Sequence, residues 1–166
     1  KYLFKSKRLS FRNWIEEENK EAAIRADPVL MKYFPSGAIP DQTIDFFKRM
    51  KSIKRKNAFV ILQLRSWKLD VLSILHLIWI LDTKFLNKGY ATEGAKACLN
   101  YAFYTIHPPE VLSIVIAVNK PSLNVTKKIG MVKYLDFVHP KHKEYERLKN
   151  FFAVELRTNL KLIHKV

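Results

Sequence analysis

Glycine is scarce in this chain, with 4 residues in 166, and two of the four lie in one short stretch, FLNKGYATEGAK at positions 85–96. An apolar run typical of a buried strand, VLSILHLIWIL at positions 71–81, comes before this stretch. After it, apolar residues recur at helical spacing from Ala91 to Ile106, as in an amphipathic helix. Gly89 therefore stands where a strand gives way to a helix, and the chain is predicted to be a mixed α/β protein.

The alternation of strand and helix patterns continues through the rest of the chain. Strands are predicted at Ser6–Arg12, Ala58–Leu64, Val71–Leu81, Leu112–Val118, Met131–Phe137 and Phe151–Leu156. Other helices are predicted to begin at Asn13, at Asp41 and near Pro121, the first ending at Asp27-Pro28 and the last just before Gly130. Because neither a repeat nor a linker interrupts this order, we predict one domain over residues 1–166.

The chain carries a formal net charge of +15, from 30 Lys and Arg against 15 Asp and Glu. This charge suits an anionic partner, such as a nucleic acid, a ribosome, a membrane surface or a polyphosphate-bearing small molecule, and it equally suits a solvated surface. The run at 71–81 is too short for a membrane helix, which needs roughly 20 residues. The basic run Lys48–Lys56 lacks interleaved aromatic residues and is better explained as a solvated helix face than as a nucleic-acid site. We therefore expect no membrane and no nucleic-acid partner.

The single cysteine and the histidines limit the chemistry further. Cys98 cannot form an internal disulfide, which fits a reducing, cytoplasmic setting. It lies on the apolar stripe of the central helix and is expected in the core rather than as a nucleophile. The 5 histidines show no metal-ligand spacing, so no metal is expected.

The glycine stretch can bind an anion. The first N–H groups of a helix lack partners within the helix, and phosphate binds there without side chains. Gly89 would allow a tight turn and a close approach to a ligand, and Gly94, which costs roughly 0.5–1 kcal/mol in a helix, suggests close packing. The two glycines have P-loop spacing, but Ala95 and Lys96 stand where that motif needs Lys and Ser or Thr. From these residues alone, an anion site and a plain helix entry both stay open.

Two longer segments carry a resemblance to a known family. LNKGYATEGAKACLNYAF and the later AVNKPSLNVTKKIGM together resemble the GNAT superfamily of acetyl-CoA-dependent N-acetyltransferases, in particular the branch that is similar to ribosomal-protein N-terminal acetyltransferases. The resemblance extends to KRLSFRNW, ADPVLMKYFP and DFVHP, and so covers most of the chain. It implies an α/β fold with a mixed, largely antiparallel sheet, a splayed central strand pair and flanking helices.

The resemblance also implies a cofactor site. The loop would hold the pyrophosphate of coenzyme A by its backbone N–H groups, and the pantetheine arm would pair in the gap beside the preceding strand. Asn119 matches an asparagine that contacts the cofactor in the family, and Ser122 would lie close to it. The implied cofactor-binding residues are Ile80, Leu81, Asn87, Lys88, Gly89, Tyr90, Ala91, Thr92, Asn119 and Ser122.

Several positions depart from the family pattern. The branch usually has E-I-G-W before the loop, with the glutamate as a natural base, and His76 stands in the place of that glutamate. A neutral imidazole can accept a proton from an amine, so His76 is the candidate catalytic base, and the alternative is a structural histidine in a buried strand. Asn87 replaces a usual glycine, and asparagine tolerates left-handed backbone better than most residues. Thr126, where some members have a tyrosine acid, is a poor acid.

Two further regions leave alternatives open. The segment from Arg65 to Trp79 is shorter than the family leads us to expect, so a hairpin could be lost, a stretch frameshifted or a loop omitted. Asp136 and His139 could line the acceptor pocket or cap a loop.

We predict an N-acetyltransferase in which a primary amine attacks acetyl-CoA directly and backbone N–H groups near Leu81 polarise the thioester. The amine could belong to a protein N-terminus, including that of a ribosomal protein, or to a small molecule. The alternatives are a degenerate relative that binds coenzyme A or a macromolecule without catalysis, and a ribosome- or RNA-binding module suggested by charge alone. The oligomeric state, monomer or homodimer, stays open.

Overall fold

The computed structural model describes residues 2–12, 28–33, 52–55, 58–69, 72–138, 146 and 150–157. The strands are β1 Phe4–Lys5, β2 Ser10–Phe11, β3 Ser52–Arg55, β4 Ala58–Leu69, β5 Leu72–Leu81, β6 Glu110–Ile116, β7 Val132–Val138 and β8 Asn150–Arg157. The helices are α1 Pro28–Met31, a 3₁₀ turn Thr83–Phe85, α2 Tyr90–Tyr101 with a π-helical extension Ala102–Ile106, and α3 Lys120–Lys128.

One eight-stranded sheet organises the described residues, in the order β1-β2-β3-β4-β5-β6-β8-β7. Every neighbouring pair is antiparallel except β5 and β6, which run parallel. A parallel pair needs a crossover between its strands, and α2 supplies it. The prediction of a mixed, largely antiparallel sheet is confirmed.

The parallel pair β5 and β6 splays apart. The two strands pair at Leu75 with Val111 and at His76 with Leu112. Beyond these pairs β5 continues to Leu81 and β6 to Ile116, and this part of the described chain has no ladder between the two strands. The predicted splay is therefore present, and it opens toward the loop that leads into α2.

The hairpin of β4 and β5 is intact. Its register is continuous over ten pairs, from Val60 opposite Leu81 to Leu69 opposite Leu72. Only positions 70 and 71 lie between the last paired residues. Of the three explanations offered for the short segment between Arg65 and Trp79, a lost hairpin is wrong, because the two strands pair along their whole shared length.

The core lies between the sheet and the buried side of α2. Leu9, Leu77 and Val111 are its largest fully buried side chains. The predicted stripe of α2 is largely confirmed, since Ala95, Cys98, Leu99, Ala102 and Phe103 are all buried. Ile106 was expected on that stripe but is 46% exposed. The π-helical hydrogen bond from His107 N to Ala102 O, 2.8 Å, reaches back five residues and changes the helical register before Ile106.

The sequence pattern near the N-terminus gave one strand where the structure has two. Ser6 N donates to Leu9 O at 2.8 Å, and Leu9 N donates to Ser6 Oγ at 3.2 Å. These bonds close a turn at residues 6–9, so only Ser10–Phe11 of the predicted strand Ser6–Arg12 is strand, as β2, and β1 lies before the predicted start. This side-chain hydrogen bond is a local competitor that alternation of apolar residues does not reveal.

Two other expectations are corrected. Part of the basic run Lys48–Lys56 is strand β3 rather than a helix face, because residues 52–55 pair with β4. β4 continues five residues past the predicted end at Leu64, because β5 supplies a partner as far as Leu69. The predicted helices that begin at Asn13 and Asp41 lie outside the described residues.

Among the helices that the structure describes, none combines the length and the apolar character that crossing a bilayer requires.

Candidate active site

The loop between β5 and α2 holds two residues with left-handed backbone. Asn87 has φ 59° and Gly89 has φ 78°, and Gly89 is the N-cap residue of α2. Glycine reaches this region freely, and asparagine more readily than most residues. The substitution of asparagine for the usual glycine at position 87 therefore leaves the loop geometry accessible.

The start of α2 is left without a side-chain cap. Gly89 has no side chain to offer, and the first helical hydrogen bond runs from Glu93 N to Gly89 O, 3.0 Å. The N–H groups of Tyr90, Ala91 and Thr92 precede that bond and have no partner within the helix. They form a set of donors at the positive end of the helix dipole, as a phosphate group requires.

The second parallel strand leads to a second helix start at the same edge of the sheet. Asn119 follows β6 and caps α3, since its Oδ1 accepts a hydrogen bond from Ser122 N at 3.2 Å. The predicted pair Asn119 and Ser122 is therefore in contact. The capping bond uses the amide oxygen, so the cap does not involve the Nδ2 donor of Asn119.

His76 lies at the point where β5 and β6 separate. Its Nε2 accepts a hydrogen bond from the backbone N–H of Ile114, 3.2 Å. Because a backbone N–H can only donate, Nε2 is the unprotonated nitrogen, and a neutral ring carries its proton on Nδ1. Nε2 must release Ile114 before it can accept a proton from a substrate. The structure thus gives His76 a structural partner, and its role as a base stays a prediction.

The other predicted residues are placed as follows. Thr126 is 2% exposed and donates its hydroxyl proton to Leu123 O at 2.8 Å, so it is committed to the fold. Asp136 is exposed and pairs with Lys133 Nζ at 2.8 Å, while His139 lies outside the described residues. Cys98 is buried, and burial raises the pKa of its thiol, as expected for a core position.

Sequence reasoning missed a cluster formed by Ser6, Arg8 and Glu93. The carboxylate of Glu93, in the first turn of α2, accepts hydrogen bonds from Ser6 Oγ at 2.7 Å and from Arg8 N at 2.6 Å, and its Oε2 pairs with Arg8 Nε. Burial acts to raise the pKa of Glu93, but these hydrogen bonds and the charge of Arg8 outweigh it and lower the pKa. Arg8 stood in the resembling segment KRLSFRNW, yet no local pattern linked it to a residue 85 positions away.

Comparison with known proteins defines the family. Residues 8–132 match the family described as "Acetyltransferase (GNAT) domain", which covers most of the chain, so the protein belongs to the GNAT acetyltransferases. It is accordingly an acyltransferase. The uncharacterized N-acetyltransferase YnaD of Bacillus subtilis (strain 168) is 28% identical over 115 residues, which cover 64% of this chain and 68% of YnaD.

Solved structures support the fold. A GNAT-family acetyltransferase from Bacillus anthracis superposes with a TM-score of 0.72 at 22% identity, covering 92% of this chain and 96% of that one. Spermidine N-acetyltransferase from Vibrio cholerae, in complex with CoA and spermine, gives 0.68 at 12% identity, covering 90% and 95%. Ribosomal-protein-S5-alanine acetyltransferase from Vibrio fischeri gives 0.63 at 12% identity, covering 94% and 96%. At these identities the likeness extends to the fold, so it does not assign the chain to the ribosomal-protein branch.

Proposed function

We propose that the protein is an acetyl-CoA-dependent N-acetyltransferase that transfers an acetyl group to a primary amine, by direct attack of the amine. The observation that carries the proposal is the uncapped start of α2, with left-handed Asn87 and Gly89 before it, at the open end of a splayed strand pair. The family supplies the reaction class, and this geometry fits the substrate that the reaction needs.

The residues present fit coenzyme A. The N–H groups at the start of α2 would hold the pyrophosphate, and exposed Lys88 and the net charge of +15 would favour its approach. The edges of β5 and β6 that face each other beyond their ladder, residues 77–81 and 115–116, would receive the amides of the pantetheine arm as an added strand does. The Nδ2 group of Asn119 and the neighbouring Ser122 would border the same ligand from α3.

Acetyl-CoA supplies an activated acetyl group, and the chain's own residues would align it and move a proton. Backbone N–H groups near Leu81 are the candidate donors to the thioester oxygen. His76, at the vertex of the splay, is the candidate base, and it would exchange its hydrogen bond from Ile114 for the proton of the attacking amine. Holding amine and thioester together would supply much of the rate.

The acceptor is a primary amine of one of two kinds, a protein N-terminus or a small molecule. Relatives of this fold include both, a ribosomal-protein alanine acetyltransferase and a spermidine N-acetyltransferase. A ribosomal protein is therefore one candidate acceptor. A second positive charge on the acceptor would be repelled by the protein's net charge of +15, and added salt would screen this repulsion.

The test is release of free CoA from acetyl-CoA over a panel of amines, with each N-terminal peptide paired with its blocked form and each polyamine tested at two salt concentrations. We expect turnover with at least one free amine and none with its blocked counterpart. Absence of turnover across the panel, in a protein that binds acetyl-CoA, would favour the degenerate relative over the enzyme.

The role of His76 is tested in the same assay by His76→Gln. Glutamine can still accept the hydrogen bond from Ile114 N, but it cannot take a proton near neutral pH. We expect kcat to fall by about 10²-fold or more, in line with the usual contribution of a general base, while CoA binding is kept. An unchanged kcat would leave His76 with its structural role alone.

A further inference from the structure

The turn between β1 and β2 lies against the start of α2, where the pyrophosphate would bind. Two of its residues reach across to Glu93. Ser6 Oγ and Arg8 N both donate to Oε1, and Arg8 Nε donates to Oε2. The Glu93 side chain is 17% exposed, so the turn covers most of it. One carboxylate thus fastens the N-terminal turn to the first turn of α2.

The rest of the Arg8 guanidinium contacts the loop itself. Its Nη1 donates to Lys88 O at 3.0 Å, and its Cζ lies 4.3 Å from the ring centroid of Tyr90. A Cβ built on Gly89, between these two residues, would come within 3.4 Å of Nη2. A single side chain therefore contacts Lys88 and Tyr90 and lies beside Gly89.

The charges explain why an arginine is suited to this position. Glu93 stabilises the start of α2 through the helix dipole, but its negative charge lies beside the site where a pyrophosphate would bind. The guanidinium neutralises that charge, and its planar fork satisfies a carboxylate and a carbonyl at the same time. A lysine could replace the charge but could not make the forked contacts.

We propose that Arg8 is a positioning residue of the cofactor site: it holds Lys88, Gly89 and Tyr90 in the phosphate-binding conformation and cancels the charge of Glu93. The proposal rests on the proposed function, because it concerns the same site. It predicts that Arg8 controls affinity for the pyrophosphate part of coenzyme A and leaves affinity for the pantetheine part unchanged.

The test is calorimetric titration of the full chain and its variants with CoA and with pantetheine, which lacks the pyrophosphate and the nucleotide. Arg8→Lys and Arg8→Gln are compared with Lys7→Gln, which removes one positive charge from an exposed neighbour in the same turn. We expect both Arg8 variants to weaken CoA binding by about tenfold or more, as loss of charge-assisted hydrogen bonds would. Lys7→Gln is expected to weaken it by less than about twofold, and pantetheine binding is expected to stay unchanged in all three.

A second pair of variants separates geometry from charge. In Arg8→Gln, Glu93 is left without its cation, so adding Glu93→Gln is expected to restore part of the CoA affinity. Wild-type affinity for CoA in the Arg8 variants would overturn the proposal. An equal loss of affinity for CoA and for pantetheine would also overturn it, because Arg8 would then have only a general structural role. If the double variant recovers no CoA affinity, the claim that Arg8 cancels the charge of Glu93 is wrong. If the wild-type chain does not bind CoA, the proposed function itself is wrong, and the role of Arg8 that rests on it is wrong too.

Discussion

The two helices that follow the parallel strands begin in different ways. α3 has a side-chain cap, since Asn119 Oδ1 accepts from Ser122 N, and a proline lies in its first turn. α2 begins at Gly89 with no side-chain cap and with left-handed backbone. Both starts lie at the same edge of the sheet, because β5 and β6 run parallel. A side chain satisfies one of the first donors of α3, whereas the first donors of α2 have no side-chain cap and would bind the ligand that we propose.

The two helix starts also differ in how they are held. Asn119 and Ser122 are three residues apart, so α3 is capped from within its own segment. The uncapped start of α2 is held by Arg8, from a turn 85 positions earlier than Glu93. The β1–β2 turn thus contacts the start of α2 from a distant part of the sequence, as the proposed role of Arg8 requires.

For this comparison of helix starts, the largest effect on cofactor binding is expected from Gly89→Ala. A side chain at φ 78° costs about 1–2 kcal/mol, so the free loop would relax, and coenzyme A would have to restore it at a cost of about five- to thirtyfold in affinity. Gly130→Ala is the matched control, because Gly130 has φ 82° but follows the C-terminal end of α3. Titration with acetyl-CoA should therefore show weakened binding for Gly89→Ala and unchanged binding for Gly130→Ala. Equal binding losses in both variants would contradict the account.

A second comparison separates the capping role of Asn119 from its predicted contact with the cofactor. Asn119→Ala removes the cap and should lower the free energy of unfolding by about 1 kcal/mol, measured with urea. Asn119→Ser keeps a good capping residue but lacks the amide donor, so it should retain stability and lose acetyl-CoA affinity by several-fold, about the value of one hydrogen bond. Full affinity in Asn119→Ser would limit Asn119 to capping.

The decrease in the free energy of unfolding at acidic pH should report on the Arg8–Glu93 contact. The pKa of Glu93 is lowered below its ordinary value of 4.5, so the contact contributes stability above about pH 4.5, and that contribution is lost as the pH falls through the folded-state pKa. Glu93→Gln removes this titration. Between pH 6 and pH 3, urea unfolding should show a larger loss of stability in the wild-type chain than in Glu93→Gln. The same loss in both proteins would mean that the pKa of Glu93 is not lowered by folding.

The smallest effect is expected at Cys98, on the buried side of α2. Burial raises the pKa of its thiol, so the thiolate that reacts with dithionitrobenzoate is scarcely populated. Labelling should be slow in the folded protein and complete in denaturant, with acetyl-CoA present or absent. Rapid labelling of folded protein would mean that the buried side of α2 opens to solvent, and would contradict the place of Cys98 in the core.

Local signals in the sequence were enough to predict the loop, the helix that became α3 and most described elements. The glycine at the entry to α2, the proline and glycine around α3 and the alternating apolar patterns each depend on a few neighbouring residues. Two contacts that sequence reasoning missed join distant residues: Arg8 with Glu93, and His76 with Ile114, 38 positions apart. Periodicity also failed at Ile106, since the π-helical turn that moves it outward has no simple sequence signature.

The most direct test of the central claim is the response of individual backbone amides to the ligand. With ¹⁵N-labelled protein, CoA and pantetheine are titrated separately while amide chemical shifts are followed. The account predicts that CoA shifts the amides of Gly89, Tyr90, Ala91 and Thr92 strongly and that pantetheine leaves them nearly unchanged, because the pyrophosphate binds to these N–H groups. CoA binding that leaves these four amides unshifted would contradict it.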